Sequence, residues 1–246
     1  MTTNIPPTRW FPSNIKALND RFEAEPPQAL LRWANTNLGQ DLALSTGFGL
    51  SGIVLMHMLS EIRPHQIRIF YLETDLHFND THHLRDQLQG RLGLSIEEVH
   101  SGLSLGDQAK RFGPDLWQSE PGLCCHLRKV EPLRRYLADK RGWITGIRRD
   151  QGGGRAATPV VSWDDTNQLV KLAPLATWPR DRVLGYIKKH QLPTNKLHDE
   201  GYASIGCWPC TAKTAAGGGE RSGRWAGTQK TECGIHTSQL TKLKTA

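Results

Sequence analysis

Asp41-Leu42-Ala43-Leu44-Ser45-Thr46-Gly47-Phe48-Gly49-Leu50-Ser51-Gly52 is the stretch on which the fold of this chain turns. Asp41 to Leu44 make a short run, apolar enough for a buried strand, that passes into a Gly/Ser loop. Beyond the loop Ile53, Val54, Met56, Leu59 and Ile62 recur at helical spacing. The first N–H groups of a helix have no partner within it, and glycines let a backbone bend closely around a ligand, so a strand–loop–helix turn of this kind is an anion-cradle candidate. A plain tight turn has the same composition, and the loop alone does not identify a ligand.

The same alternation continues on both sides. Leu30, Leu31, Trp33 and Leu38 suit a helix from Pro26 to Leu38, and Ile67-Arg68-Ile69-Phe70-Tyr71-Leu72 reads as a second strand ending at Glu73-Thr74-Asp75. A helix is expected from about Asn79 to Leu92, a third strand near Ser95 to Val99, a helix over about Leu127 to Leu137, and a fourth strand at Gly142-Trp143-Ile144-Thr145-Gly146-Ile147. Strands alternating with helices predict an α/β fold with an open, doubly wound, mostly parallel sheet that binds ligands beyond the carboxyl ends of its strands. Residues 1–25 form a leading segment with one short helix, 26–211 the α/β domain, and 212–246 a glycine-rich, flexible arm with Gly217-Gly218-Gly219 and Gly223.

A chain of 246 residues can bury one substantial core. No apolar run reaches the roughly 20 residues that span a bilayer, so no membrane partner is expected. Met1-Thr2-Thr3-Asn4-Ile5-Pro6-Pro7 lacks the basic start and apolar run of a secretory signal, which predicts a cytoplasmic protein with reduced thiols. The net charge of +7 comes from basic residues standing singly or in pairs. That argues against nucleic acid as partner and suits a pocket for a small, multiply charged anion.

Five cysteines fall into an adjacent pair, Cys124-Cys125, a Cys207-x-x-Cys210 motif, and Cys233 alone. Four thiolates can hold one metal centre, leaving the fifth for chemistry. Zinc usually spaces paired cysteines by two to four residues, so an adjacent pair suits an iron–sulfur cluster better. Lys129, four residues past Cys125 on the expected helix, can place an ammonium beside both cluster and anion. Arg148-Arg149 follow a strand directly and Arg155 follows Gly152-Gly153-Gly154, so guanidinium groups that grip sulfate or phosphate can project from the same sheet edge.

Four ordered segments, Cys124-Cys125-His126-Leu127-Arg128-Lys129, Thr145-Gly146-Ile147-Arg148-Arg149-Asp150-Gln151, Leu197 through Thr211, and Lys230-Thr231-Glu232-Cys233-Gly234-Ile235-His236, resemble the assimilatory sulfonucleotide reductases. The resemblance runs from about residue 40 to 236. It implies the adenine-nucleotide α-hydrolase-like fold and thioredoxin- or glutaredoxin-dependent reduction of adenylylsulfate to sulfite and AMP, with phosphoadenylylsulfate as the alternative substrate. It further implies a [4Fe–4S] cluster on Cys124, Cys125, Cys207 and Cys210, with Cys233 as the nucleophile. Substrate contacts are expected from Ser45, Thr46, Gly47, Ser51, Thr74, Lys129, Arg148, Arg155, Arg221, Arg224 and His236. Two departures stand out: Leu50-Ser51 replaces an acidic pair common in cluster-containing members, and Glu73-Thr74-Asp75 replaces the usual Asp-Thr-Gly.

Thiolate attack on a sulfate esterified to phosphate meets a centre crowded with negative oxygens, so cations must neutralise both partners; Lys129, Arg221, Arg224 and His236 are expected to supply them. Two rival readings are a tRNA-thiolating sulfurtransferase on the same fold, whose Ser-Gly-Gly-x-Asp-Ser loop is absent, and a non-catalytic metal module that binds nucleic acid and has no use for Cys233. Assembly into a homo-oligomer is left open.

Overall fold

The computed structural model describes residues 14–62 and 67–236; residues 1–13 of the leading segment and 237–246 of the arm lie outside them. In chain order the elements are α1 (Ile15–Glu23), α2 (Pro27–Leu38), β1 (Leu42–Ser45), α3 (Leu50–Ile62), β2 (Arg68–Glu73), α4 (Asn79–Leu92), β3 (Ile96–His100), α5 (Leu105–Phe112), α6 (Leu116–Ser119), α7 (Pro121–Cys125), α8 (Glu131–Leu137), β4 (Gly142–Ile144), β5 (Val161–Asp164), β6 (Leu169–Leu172) and α9 (Arg180–Lys189). Among the described residues six strands form one sheet in the order β3-β2-β1-β4-β6-β5. Every neighbouring pair is parallel except β5 with β6.

The order runs outward in opposite directions from β1 and β4. Crossovers leaving β1 and β4 therefore diverge to opposite sides, opening a crevice at the carboxyl ends of these two strands. One sheet face is covered by α2, α3, α4 and α9 around Leu31, Val54, Leu55, Leu88 and Val183. The other is covered by α8, whose Leu133 and Leu137 pack with Phe70, Val99 and Trp143. Helix α3 is buried along almost its whole length, which accounts for its nearly continuous apolar run.

Three differences from the sequence reading have local causes. Strand β4 ends at Ile144, earlier than expected: Thr145 makes the last rung to β6, donating its N–H to the Leu172 carbonyl at 2.8 Å, and beyond it Gly146 passes against Ser51 and Gly52. The β5–β6 hairpin was not anticipated. Its turn is tied by Asp164, whose Oδ1 accepts from the Thr166 and Asn167 amides at 3.0 Å each, and Gln168 takes a left-handed φ of 55°. Helix α1 joins the main body: Phe22 is buried, Asn19 Oδ1 accepts from the Val161 amide at 3.1 Å, and Glu23 grips Arg149 with both oxygens.

Candidate active site

The loop after β1 forms the floor of a cavity of about 240 Å³ at the crevice between β1 and β4. Thr46 organises the loop: its amide donates to the Phe70 carbonyl at 2.9 Å and its hydroxyl accepts from the Phe48 amide at 3.0 Å. The left-handed residue here is Phe48 (φ 57°), not a glycine. Gly47 and Gly49 leave open space where side chains would stand, whereas a Cβ on Gly52 would meet Thr46 Oγ1 at 2.6 Å. The glycines thus serve ligand access at 47 and 49 and helix–strand packing at 52.

Ser45, Thr46, Gly47, Ser51, Lys129, Arg148, Arg155, Arg221, Arg224, His236 and Cys233 all line this cavity. Thr74, expected with them, does not. Its buried hydroxyl lies 3.4 Å from Cys207 Sγ and accepts from the Leu76 amide, so it supports a thiol. Arg148 is buried and engaged on all three nitrogens, by Ser51 Oγ at 2.7 Å, Asp150 at 2.9 Å and Glu220. It therefore positions Ser51. Its neighbour Arg149 points away to Glu23 and the Thr158 carbonyl.

Four thiols line a separate, largely closed cavity: Cys124, Cys125, Cys207 and Cys210, with Arg128, Lys129 and Trp225. The adjacent pair ends α7, and the helix continues into α8 through a π-helical turn, His126–Val130. Such turns widen a helix locally and concentrate at functional sites. Here consecutive residues of the turn take opposite tasks. Arg128 is buried and donates to Gln108, the Thr74 and Leu103 carbonyls and Asp75, stapling the floor of the thiol site. Lys129 lines both cavities.

The thiols divide electrostatically. Burial pushes Cys124 up to about 11 and Cys125 to about 12. Burial acts the same way on Cys207, but the Lys129 ammonium and the Thr74 hydroxyl outweigh it and hold that thiol below its ordinary value. Lys129 is raised in turn: burial disfavours its charge, yet the sulfurs of Cys207, Cys233 and Cys125 more than compensate. Lys129 is thus the cation placed between the four-thiol site and Cys233.

The segment after Thr211 is anchored, not loose throughout. Thr211 and Arg224 form a β-bridge, the Trp225 amide donates to the Cys210 carbonyl at 3.1 Å, and both Arg224 and Trp225 are buried. The guanidinium of Arg224 lies over Trp225 at 4.9 Å. Further on, Ile235 packs beside α8, and His236 stacks on Trp143 at 5.2 Å with 18° between planes. Trp143 is itself fixed by Ser45, whose hydroxyl accepts from its indole N–H at 2.8 Å. Burial first, then Lys171, Arg155 and Arg221, push His236 well below its ordinary value. Both effects disfavour the charged imidazolium expected from sequence at this position.

Sequence reading missed His77, Gln151, His198, Glu220 and Trp225 as cavity residues. Gln151 and His198 lie in quoted motifs, which was a usable signal, and Gln151 is joined to Arg148 and Arg155 by local bonds; His77, Glu220 and Trp225 are brought in by the fold. Several buried polar atoms of cavity residues have no partner within the protein, namely His77 Nδ1, His198 Nε2, His236 Nδ1, Arg224 Nε and Trp225 Nε1. Their concentration at one place marks a site built for a polar ligand.

Residues 41–213 match the phosphoadenosine phosphosulfate reductase domain. The chain is 50% identical over 230 residues to an adenosine 5'-phosphosulfate reductase of Salinibacter ruber, covering 93% of this chain and 91% of that protein. It is 42% identical over 237 residues to adenosine 5'-phosphosulfate reductase 2 of Bacillus subtilis, covering 96% and 99% respectively. Phosphoadenylyl-sulfate reductase from Candida auris, solved as a phosphate complex, superposes with a TM-score of 0.72 at 31% identity, over 82% of this chain and 98% of that one. FMN adenylyltransferase of Candida glabrata, at 15% identity and a TM-score of 0.57 over 85% of this chain and 68% of its own, shares the fold alone.

Proposed function

The chain belongs to the phosphoadenosine phosphosulfate reductase domain family, and from that premise we propose that it reduces adenylylsulfate to sulfite and AMP with Cys233 as the nucleophile. The observation that carries this reading is the separation of thiols: Cys233 lines the crevice cavity with Lys129, Arg155, Arg221 and Arg224, while the other four line a cavity of their own. In the first step Cys233 Sγ attacks the substrate sulfur, an S–S bond forms, the S–O bond to the phosphate breaks, and AMP departs. The guanidinium and ammonium groups offset the charge that accumulates on the sulfonate and phosphate oxygens. In the second step a thiolate of an external dithiol, for which we propose thioredoxin, attacks Sγ of the S-sulfocysteine and releases sulfite. Its second thiol then closes the disulfide and restores Cys233. The electron balance closes on thiols.

Cys124, Cys125, Cys207 and Cys210 would hold a [4Fe–4S] cluster. All are free thiols, three of them buried. Four thiols around one cavity, two of them on adjacent residues, favour a polynuclear cluster over zinc, which usually spaces its paired cysteines by two to four residues. When bound, a cluster supplies electrostatic and structural support next to Lys129.

Adenylylsulfate is favoured over phosphoadenylylsulfate by the relatives at 50% and 42% identity. Saturation of Arg148 by Ser51, Asp150 and Glu220 points the same way, because that guanidinium is already engaged and is not offered to an additional phosphate. The test is sulfite release from each nucleotide with thioredoxin, together with mass analysis of protein incubated with substrate and no reductant. The expected result is higher kcat/KM with adenylylsulfate and one added SO₃ on the peptide containing Cys233. Cys233→Ser should bind AMP and form no sulfite. An adduct on another cysteine, or turnover by the Ser variant, would refute the assignment.

A further inference from the structure

Two of the guanidinium groups that line the crevice cavity are also held by a carboxylate next to the nucleophile. Arg155 donates from Nε and Nη2 to Oε1 and Oε2 of Glu232 at 2.7 and 2.9 Å. Arg221 Nη2 donates to Glu232 Oε2 and to the Thr231 carbonyl, both at 3.1 Å. The three side chains are only 12–19% exposed, so these pairs are shielded from solvent more than a surface ion pair is. Glu232 lines the open groove behind the arm and not the cavity itself, whereas Cys233 lines both. The arginines are therefore held from the groove side.

An anion-binding site gains nothing in affinity from a carboxylate on its own cations; at that position the charge weakens the attraction for substrate. Its use lies in geometry. The stretch from Ala226 to Lys230 is exposed apart from its last residue, so a fixed point is needed between the anchored Trp225 and the thiol. Glu232 provides one on the arginines themselves. The two arginines divide the work: Arg155, with Nη1 donating to Gln151 Oε1 at 2.7 Å, is engaged on all three nitrogens and fixes the arm, whereas Arg221 uses only Nη2 in its hydrogen bonds to the arm and keeps the rest of its guanidinium for a ligand.

We propose that Glu232 is the latch of the catalytic arm, a positioning residue that ties Cys233 to two cations of the crevice, Arg155, which holds the arm, and Arg221, which also faces the anionic end of the substrate. Resting on the assignment of Cys233 as nucleophile, this makes closure of the arm and capture of the electrophile depend on one set of cations. The first half-reaction requires the latch closed. The second does not, since a protein-sized dithiol reaches the thiol more readily when the arm is released.

The experiment separates the two half-reactions in holoenzyme. Glu232→Gln, which keeps the shape and removes the charge, should slow formation of the Cys233 adduct from adenylylsulfate by about 10²-fold, the scale of a displaced reacting group. Reduction of the preformed adduct by thioredoxin should be as fast as wild type or faster, and AMP binding should persist. Glu232→Asp should recover part of the first rate. Amide hydrogen exchange over residues 228–236 should be faster in the Gln variant, a readout independent of turnover. Adduct formation at the wild-type rate, equal slowing of both half-reactions, or unchanged exchange would overturn the latch. Failure of the wild-type protein to form any Cys233 adduct would instead overturn the nucleophile assignment, and the exchange comparison would still decide the latch.

Discussion

A Cβ built on Gly206 would stand 1.9 Å from Arg224 Nη1 and 2.4 Å from its Cζ, so the guanidinium lies directly on this glycine's backbone. Gly206→Ala should force Arg224 from its place, costing about 1–3 kcal/mol as an overpacked site does. The expected outcome is a lower Tm and a raised KM, with the visible absorbance of the proposed cluster retained; an unchanged KM would show that Arg224 does not act through this contact. The same scale shows what was legible beforehand. The division of the five cysteines into four that share a cavity and one in the crevice was readable from spacing, because cysteine is rare and its chemistry narrow. The pair Arg148-Arg149 could not, because what separates them is Ser51 on one side and Glu23 on the other, residues 97 and 126 positions away. Thr74 misled for a related reason: its partner is Cys207, 133 positions on.

Among the elements, α3 and the glycine loop were readable because their pattern is local and buried. The π turn before α8 was not, since nothing in His126–Val130 departs from an ordinary helical composition. The seam between α3 and α9 carries a testable property. His57 Nδ1 lies 2.9 Å from the Tyr186 hydroxyl, and its ring is 4.6 Å from that of His190. Burial, followed by the nearby His190, lowers its pKa, opposed by Glu61. The folded state thus keeps His57 neutral where the unfolded chain, with an ordinary value of about 6.5, binds a proton. More protons on the unfolded state mean that stability falls as the pH drops below about 6.5. Replacing His57 by Gln should shrink the loss of Tm between about pH 7.5 and about pH 5.5; an identical loss in the variant would remove this seam from the account.

At the level of the whole molecule, the alternation of strands and helices was sufficient to expect a parallel sheet, but not the insertion of β6 between β4 and the antiparallel edge strand. Sheet order depends on how distant segments pair, and no local pattern records that. The net charge of +7 acquires a place in the fold, with Lys129, Arg155, Arg221 and Arg224 converging on one crevice. A multiply charged nucleotide drawn there should be screened by salt, so KM should rise several-fold between about 0.05 and 0.5 M NaCl while kcat holds; a flat KM would argue that binding is dominated by uncharged contacts. The stitch between the cysteine loop and the arm, Thr211 to Arg224 and Cys210 to Trp225, has a consequence for damaged enzyme. Loss of the proposed cluster from Cys207 and Cys210 would loosen Arg224 at the same stroke, so AMP titrated into chelator-treated protein should find its affinity lost. A copy spoiled by air would then fail empty, refusing nucleotide, and would not be left carrying a half-finished S-sulfocysteine.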